Sequence, residues 1–151
     1  MSDMDPMTRA PGSVADILGF HIRLAHGAVY RHFTDTFSDL GLTQKQVSVL
    51  WLIHDHPGIG QAELGRRLQM DRATVMAIVN RLQARDMVVR GASTLDRRRQ
   101  TLALTSAGDT ALAGARTAIC AHEAWLKDRF TEAEVRTLIA LLARIHEARE
   151  V

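Results

Sequence analysis

The chain has 151 residues, 46% of them hydrophobic and only 5% aromatic, with a formal charge of +2 and a single cysteine. That length holds one domain, or one domain with helical extensions, around a real core, and the shortage of aromatics favours helices over a sandwich or barrel. One cysteine excludes an intrachain disulfide framework, and neither a bilayer-length apolar run nor a signal-peptide pattern is present, so the expectation is a cytoplasmic, nucleoid-associated protein with no membrane partner.

Residues 1–12, with Pro6 and Pro11, read as a loose tail. Ser13 is placed to cap a long first helix from Val14 to Ser38, which Asp39-Leu40-Gly41 then breaks. Thr43 and Gln46 have capping-box spacing at the start of a second helix, whose inward face is Val47, Leu50, Trp51 and Ile53 and whose end is Pro57-Gly58. A short third helix runs from Gln61 to Leu68 with Ala62, Leu64 and Leu68 inward. After a tight connection Asp71 can cap a fourth helix, in which Val75, Ile78, Val79 and Leu82 form one apolar stripe. Two helices joined so closely are a helix-turn-helix candidate.

Met87-Val88-Val89 and Thr101 to Leu104 favour strand, and the polar segment Gly91 to Gln100 suits a hairpin between them. Thr105 can cap a fifth helix to about Arg129. Thr131 and Glu134 form another capping box and start a sixth, with Val135, Leu138, Ile139, Leu142 and Ile145 at helical spacing. The expected order is four helices, a two-stranded wing and two more helices.

The charge is unevenly placed. Between Gly60 and Gln100 stand nine arginines and no lysine against Glu63, Asp71, Asp86 and Asp96, the footprint of a nucleic-acid-facing surface. With the fourth helix's apolar stripe inward, Ala73, Thr74, Ala77, Asn80 and Arg81 fall on or near the opposite face and Met76 flanks it. The two alanines let the backbone sink into a major groove. Thr74 and Asn80 reach base edges, with Asn suited to adenine, and Arg81 suits guanine or a phosphate. Arg72 projects nearer the core side, which suits a phosphate at the helix start. On the hairpin tip, Arg97, Arg98 and Arg99 suit a minor groove, and Asp96 reads as an internal brace pairing with a neighbouring arginine.

The run from Leu82 to Arg90, then Asp96-x-Arg98, then Leu104-Thr105-x-x-Gly108, resembles the MarR family of bacterial winged-helix regulators. The resemblance extends over nearly the whole chain. It implies a mainly α fold with a small β-wing, with Asp71 to Arg85 as recognition helix, Asp96 as wing brace and Arg98 as the matching wing arginine. It also implies an obligate dimer interlocked through the N- and C-terminal helices, and repression relieved by a small aromatic or phenolic acid. On that basis residues 13–40 are the first helix with dimerisation and effector roles, 41–108 the winged helix-turn-helix lobe, and 109–151 the C-terminal dimerisation helices. Two positions depart from the family. Asp86 stands where glycine is usual, and Gly60 precedes the third helix where a Ser or Thr cap is commoner.

A dimer also follows from the residues alone. Ile17, Phe20, Leu24, Trp125, Phe130, Leu138, Leu142 and Ile145 would leave a large apolar patch on a monomer, and a two-fold dimer covers it and matches a palindromic operator in double-stranded DNA. On the first helix His21, Arg23, His26, Tyr30 and His32 are an unusual polar set that suits a carboxylate, with Trp51 packing against a ring, so the expected effector is a small aromatic carboxylate or phenol. Interhelical hydrogen bonding is the plainer role for the same residues. No cofactor is expected. His54 and His56 are spaced poorly for a metal, and Cys120 reads as buried packing, with any redox role left open. A Gly-rich phosphate loop, paired carboxylates and a nucleophile elbow are all lacking, which argues against an enzyme. The competing reading is an architectural DNA-binding protein that needs no effector.

Overall fold

The computed structural model describes residues 12–93, 95 and 98–147. They fall into two compact units, one ending at His32 and the other starting at Phe33. In the first, Ser13 caps a single 3-10 turn (Val14–Asp16) in a full capping box with Asp16, and Ile17 is extended before α1 (Leu18–Phe37) begins. The single first helix expected from Val14 is thus interrupted at Ile17. The unit's large apolar side chains Val14, Ile17, Leu18, Ile22 and Leu24 are exposed.

The second unit starts with the last turn of α1, where Phe33 and Phe37 are buried and stack with ring centroids 4.0 Å apart. After a 3-10 turn, Gly41 takes a left-handed conformation (φ 61°) and Thr43 opens α2 (Gln44–Asp55) in the expected box with Gln46. Val47, Val49, Leu50 and Ile53 of α2 are buried and Trp51 is half-buried. Then come α3 (Gln61–Leu68), α4 (Arg72–Ala84), α5 (Ser106–Lys127) and α6 (Glu132–His146). Of the third helix's expected inward residues, Leu64 is buried and Leu68 half-buried, but Ala62 is exposed.

The sheet has three strands, one more than expected. β1 (Ile59–Gly60) pairs antiparallel with β3 (Gln100–Leu104), which pairs antiparallel with β2 (Val88–Ala92). The wing register runs from Val88 opposite Leu104 to Ala92 opposite Gln100, and Ser93 N–H extends the ladder by donating to the Arg99 carbonyl. The two residues of β1 fix the base of the wing against the start of α3.

Both helices of the helix-turn-helix stop in the same way. At the end of α3, Gln69 is left-handed (φ 52°), with Gln69 N–H donating to Arg66 O and Met70 N–H to Gly65 O. At the end of α4, Asp86 is left-handed (φ 58°), with Asp86 N–H donating to Gln83 O and Met87 N–H to Leu82 O. These are Schellman turns, whose left-handed position favours glycine. Asp86 therefore occupies the backbone state that glycine fills in the family pattern.

The Leu104-Thr105-x-x-Gly108 signature also has a steric origin. Thr105 N–H donates to the Met87 carbonyl, and its hydroxyl accepts from Gly108 N–H at 3.0 Å to cap α5. A Cβ on Gly108 would stand 2.1 Å from that same Met87 oxygen, so α5 can start against β2 only with glycine there.

The core lies between α2, α3, α4, the sheet and the first half of α5. Leu50, Leu64, Val79, Leu82, Leu102 and Leu112 are almost wholly excluded from solvent. One expectation fails on α5, while α6 leaves its apolar stripe open as expected of a single copy. Cys120 is exposed rather than packed. α6 buries none of its residues, and Thr131 and Glu134 make the expected box.

Candidate nucleic-acid interface

Asp71 sets the start of α4. Its carboxylate accepts from Thr74 N–H and from the Thr74 hydroxyl, both at 2.8 Å. The backbone hydrogen bond from Thr74 is the main reason the Asp71 carboxyl is held below its ordinary range, and the hydroxyl adds to it. Thr74 is consequently half-buried and engaged with the cap. Val75, Val79 and Leu82 are fully buried, which turns Ala73, Met76, Ala77, Asn80 and Arg81 to solvent. Arg72 is exposed too. It shares a concave surface with Met76 and Asn80, which corrects its expected place on the core side.

That concavity encloses about 1020 Å³ between α3, α4 and the wing, and Arg66, Arg72, Arg90, Arg98 and Arg99 all line it. The arginines divide by task. Arg66 and Arg67 both donate to Glu63, and the Arg66 hydrogen bond is the largest of the effects that lower the Glu63 carboxyl. Arg67 also meets His56 Nε2 at 3.2 Å. Arg85 donates to the Gly41 carbonyl at 2.7 Å and ties the end of α4 to the entrance of α2. Arg99 lies across Gly60, its Nε 3.1 Å from where a Cβ would sit, so the bare backbone of β1 makes room for it. Gly60 caps α3 without a side-chain bond. Arg72 and Arg81 take no side-chain partner among the described residues, and they project from the exposed side of α4. Arg98 and Leu95 are both exposed between β2 and β3, Leu95 at 97%. Asp96 and Arg97 lie outside the described residues.

The expected effector residues are dispersed in role. In the first unit His21 Nε2 meets the Ala15 carbonyl at 2.6 Å, Arg23 lies over the Phe20 ring, and His26 stacks on Tyr30. His32 is half-buried. Trp51 belongs to the second unit, where the Arg116 guanidinium covers its ring at 4.8 Å and reaches His54 Nδ1 at 3.2 Å. Arg116 Nε is buried and has no hydrogen-bond partner among the described residues. Reasoning from the sequence missed Arg116, because its partners are on α2 and no local motif marks it. It missed Arg90 too, whose partners Gln61, Asn80 and Gln83 are on α3 and α4.

The sequence pattern that defines the MarR family matches residues 40–99, the span from the entrance of α2 to the wing. A protein of Thauera aromatica assigned to regulation of the hcr operon is 35% identical over 136 residues, covering 89% of this chain and 82% of its own. The transcriptional repressor NicR of Pseudomonas putida is 33% identical over 103 residues, 68% of this chain and 65% of its own. Among solved structures, the repressor CouR bound to a 23-mer DNA duplex superposes with a TM-score of 0.85 at 30% identity, covering 92% of this chain and 99% of CouR. The chain belongs to the MarR family of winged helix-turn-helix transcriptional regulators.

Proposed function

We propose that the protein is a homodimeric repressor that holds a palindromic operator and is released by a small aromatic carboxylate. The observation that carries the DNA-binding part is the exposed side of α4. Ala73 and Ala77 leave its backbone bare of bulk, Asn80 stands one turn further on, Arg72 and Arg81 flank it, and the basic wing rises beside it. Duplex DNA complements a convex helix edged with guanidinium groups. CouR carries DNA on the same fold, which supports this reading. The homodimer rests on the exposed apolar side chains Leu138, Ile139, Leu142 and Ile145 of α6, which a second copy would cover.

The effector part rests on Arg116. A guanidinium over an indole ring, with one buried donor unmatched, offers a carboxylate a hydrogen bond and a charge beside an aromatic wall.

Anisotropy titrations with labelled duplexes from the DNA flanking the gene test the first part. The expected result is nanomolar binding of one palindrome at low salt, weakening steeply as salt rises, and R72A and R81A each flattening the salt slope by about one unit. A monomer without affinity for any duplex refutes it. Calorimetry with benzoate- and cinnamate-type acids tests the second. Heat of binding lost in R116M supports it, and no heat with DNA still bound at millimolar acid refutes it.

A further inference from the structure

Arg90, on β2, sits within a ring of amides. Its Nη2 donates to Asn80 Oδ1 at 2.7 Å and to Gln61 Oε1 at 3.4 Å, and its Nη1 donates to Gln83 Oε1. The three carbonyls come from the start of α3 and from the second half of α4, so one guanidinium joins both helices of the helix-turn-helix to the wing. A guanidinium carries only donors. Each amide must therefore present its oxygen to Arg90 and turn its NH2 away. Asn80 is exposed on the α4 stripe that includes Ala73 and Ala77, at i+7 and i+3 from them. Of these three side chains it alone has polar reach, and what it extends is an NH2 group. The full charge behind the amide further polarises that NH2 as a donor.

This changes what Asn80 can read. Adenine is recognised by an asparagine that donates to N7 and accepts from N6, which needs both ends of the amide turned to the base, whereas Arg90 takes one of the two Oδ1 lone pairs and holds the oxygen toward itself. Guanine offers two acceptors, N7 and O6, and an NH2 alone satisfies both. Cytosine presents a donor in the groove and meets an NH2 badly. We propose that Arg90 is a specificity-positioning residue: by engaging Asn80 Oδ1 it holds that oxygen toward β2 and leaves the NH2 to face the groove, so that Asn80 selects guanine over adenine at one position of each half-site. This rests on the DNA-binding reading above and adds the base that one residue prefers and the residue that imposes the preference.

The test is selection from a duplex library with a randomised core of about one and a half turns of DNA on each side of the centre, carried out on the full-length wild type, N80A and R90M. In the wild type one column per half-site favours guanine over adenine by at least about fivefold, the lower end for a good side-chain-to-base contact. N80A flattens that column and leaves the others. R90M shifts the same column toward adenine and again leaves the others. An Asn80-dependent column that is already adenine in the wild type overturns the inference. So does R90M weakening every column alike, which would make Arg90 a phosphate contact. A wild type that enriches no sequence and binds no duplex defeats the DNA-binding reading itself, and this inference with it. Should R90M fail to fold, the guanidinium is read directly in the free protein. Restricted rotation of the Arg90 Nη groups in nitrogen-15 spectra, lost in N80A/Q83A, supports the clamp, and free rotation in the wild type overturns it.

Discussion

α4 and α6 are built from similar sequence. Each is a short helix, of 13 and 15 residues, with a side-chain N-cap and apolar residues at i, i+3, i+4 and i+7. In α4 that stripe meets α2, α3 and β2, and Val75, Val79 and Leu82 are at most 1% exposed. In α6 the equivalent stripe is open, with Ile139 61% and Leu142 41% exposed. An apolar stripe thus says that a face is to be covered, and leaves open whether the same chain covers it. α4 is held by its own lobe, so its other side can be given over to small and basic residues. α6 spends its apolar side outward, which is useful only if a second copy supplies the cover.

The largest expected effect comes from charging the open stripe. L138E/L142E places two carboxylates where the proposed partner packs, and burial of unpaired charge costs several kcal/mol each. The dimer dissociation constant should rise by at least about a thousandfold, seen as a monomer in sedimentation at micromolar protein, while the lobe keeps its circular dichroism. A dimer that survives this pair breaks the comparison, since α6 would then lie outside the interface.

The covered stripe should respond in the opposite sense. L82A leaves a cavity in a core that cannot collapse around it and should cost about 2–5 kcal/mol in urea unfolding, independent of protein concentration. The loss from L138A should grow as the protein is concentrated. Equal concentration dependence in the two variants would remove the distinction between chain-internal and partner cover.

A smaller effect tests how the lobe ends α4. Asp86 holds a left-handed backbone (φ 58°) that glycine adopts without steric cost. D86G should stabilise the lobe by up to about 1 kcal/mol, the left-handed penalty less the entropy that glycine adds to the unfolded chain. A destabilised D86G would mean that the carboxylate itself contributes something the backbone geometry does not reveal.

The same contrast separates what the sequence displayed from what it hid. The Thr43/Gln46 and Thr131/Glu134 boxes and the Asp71 cap involve residues three apart, and a linear reading found all of them. The Gly108 position in the family signature was legible, although its cause, the Met87 carbonyl, emerged only in three dimensions. β1 was not legible, because two residues carry no periodicity and their strand partner lies beyond two helices. The arginine field was visible as a charge and hidden as a set of tasks. Arg85 reaches a carbonyl 44 positions away, Arg90 an amide 29 away, and Arg116 a histidine 62 away. Contacts that distant leave no local pattern, so the sequence identified a basic face without saying which guanidinium groups brace it and which remain to meet a ligand.

The subtlest expected difference between the two helices is their response to acid. Asp71 caps α4 with a charge, and its carboxyl is lowered from the ordinary 3.8 chiefly by the Thr74 backbone N–H. The N-cap of α6 is the Thr131 hydroxyl, which does not titrate in this range, and Glu134, which completes that box, is unchanged in a Thr131 variant. A group whose folded pKa is depressed binds its proton more readily in the unfolded chain, so its contribution is complete above the unfolded value and is lost as pH falls through the folded one. The α4 cap should therefore be intact at pH 7 and fade below about pH 4. D71S, which replaces the carboxylate with a neutral cap, should be less stable than the wild type at pH 7 and should close that gap as the solution is acidified. T131S should show a gap of the same size at both ends. Asp71 is exposed, so solvent screening keeps the difference small, and a series of urea midpoints between pH 3 and pH 7 is the suitable measurement. A D71S gap that stays constant over that range would show that the α4 cap works through hydrogen-bond geometry alone, with charge adding nothing to it.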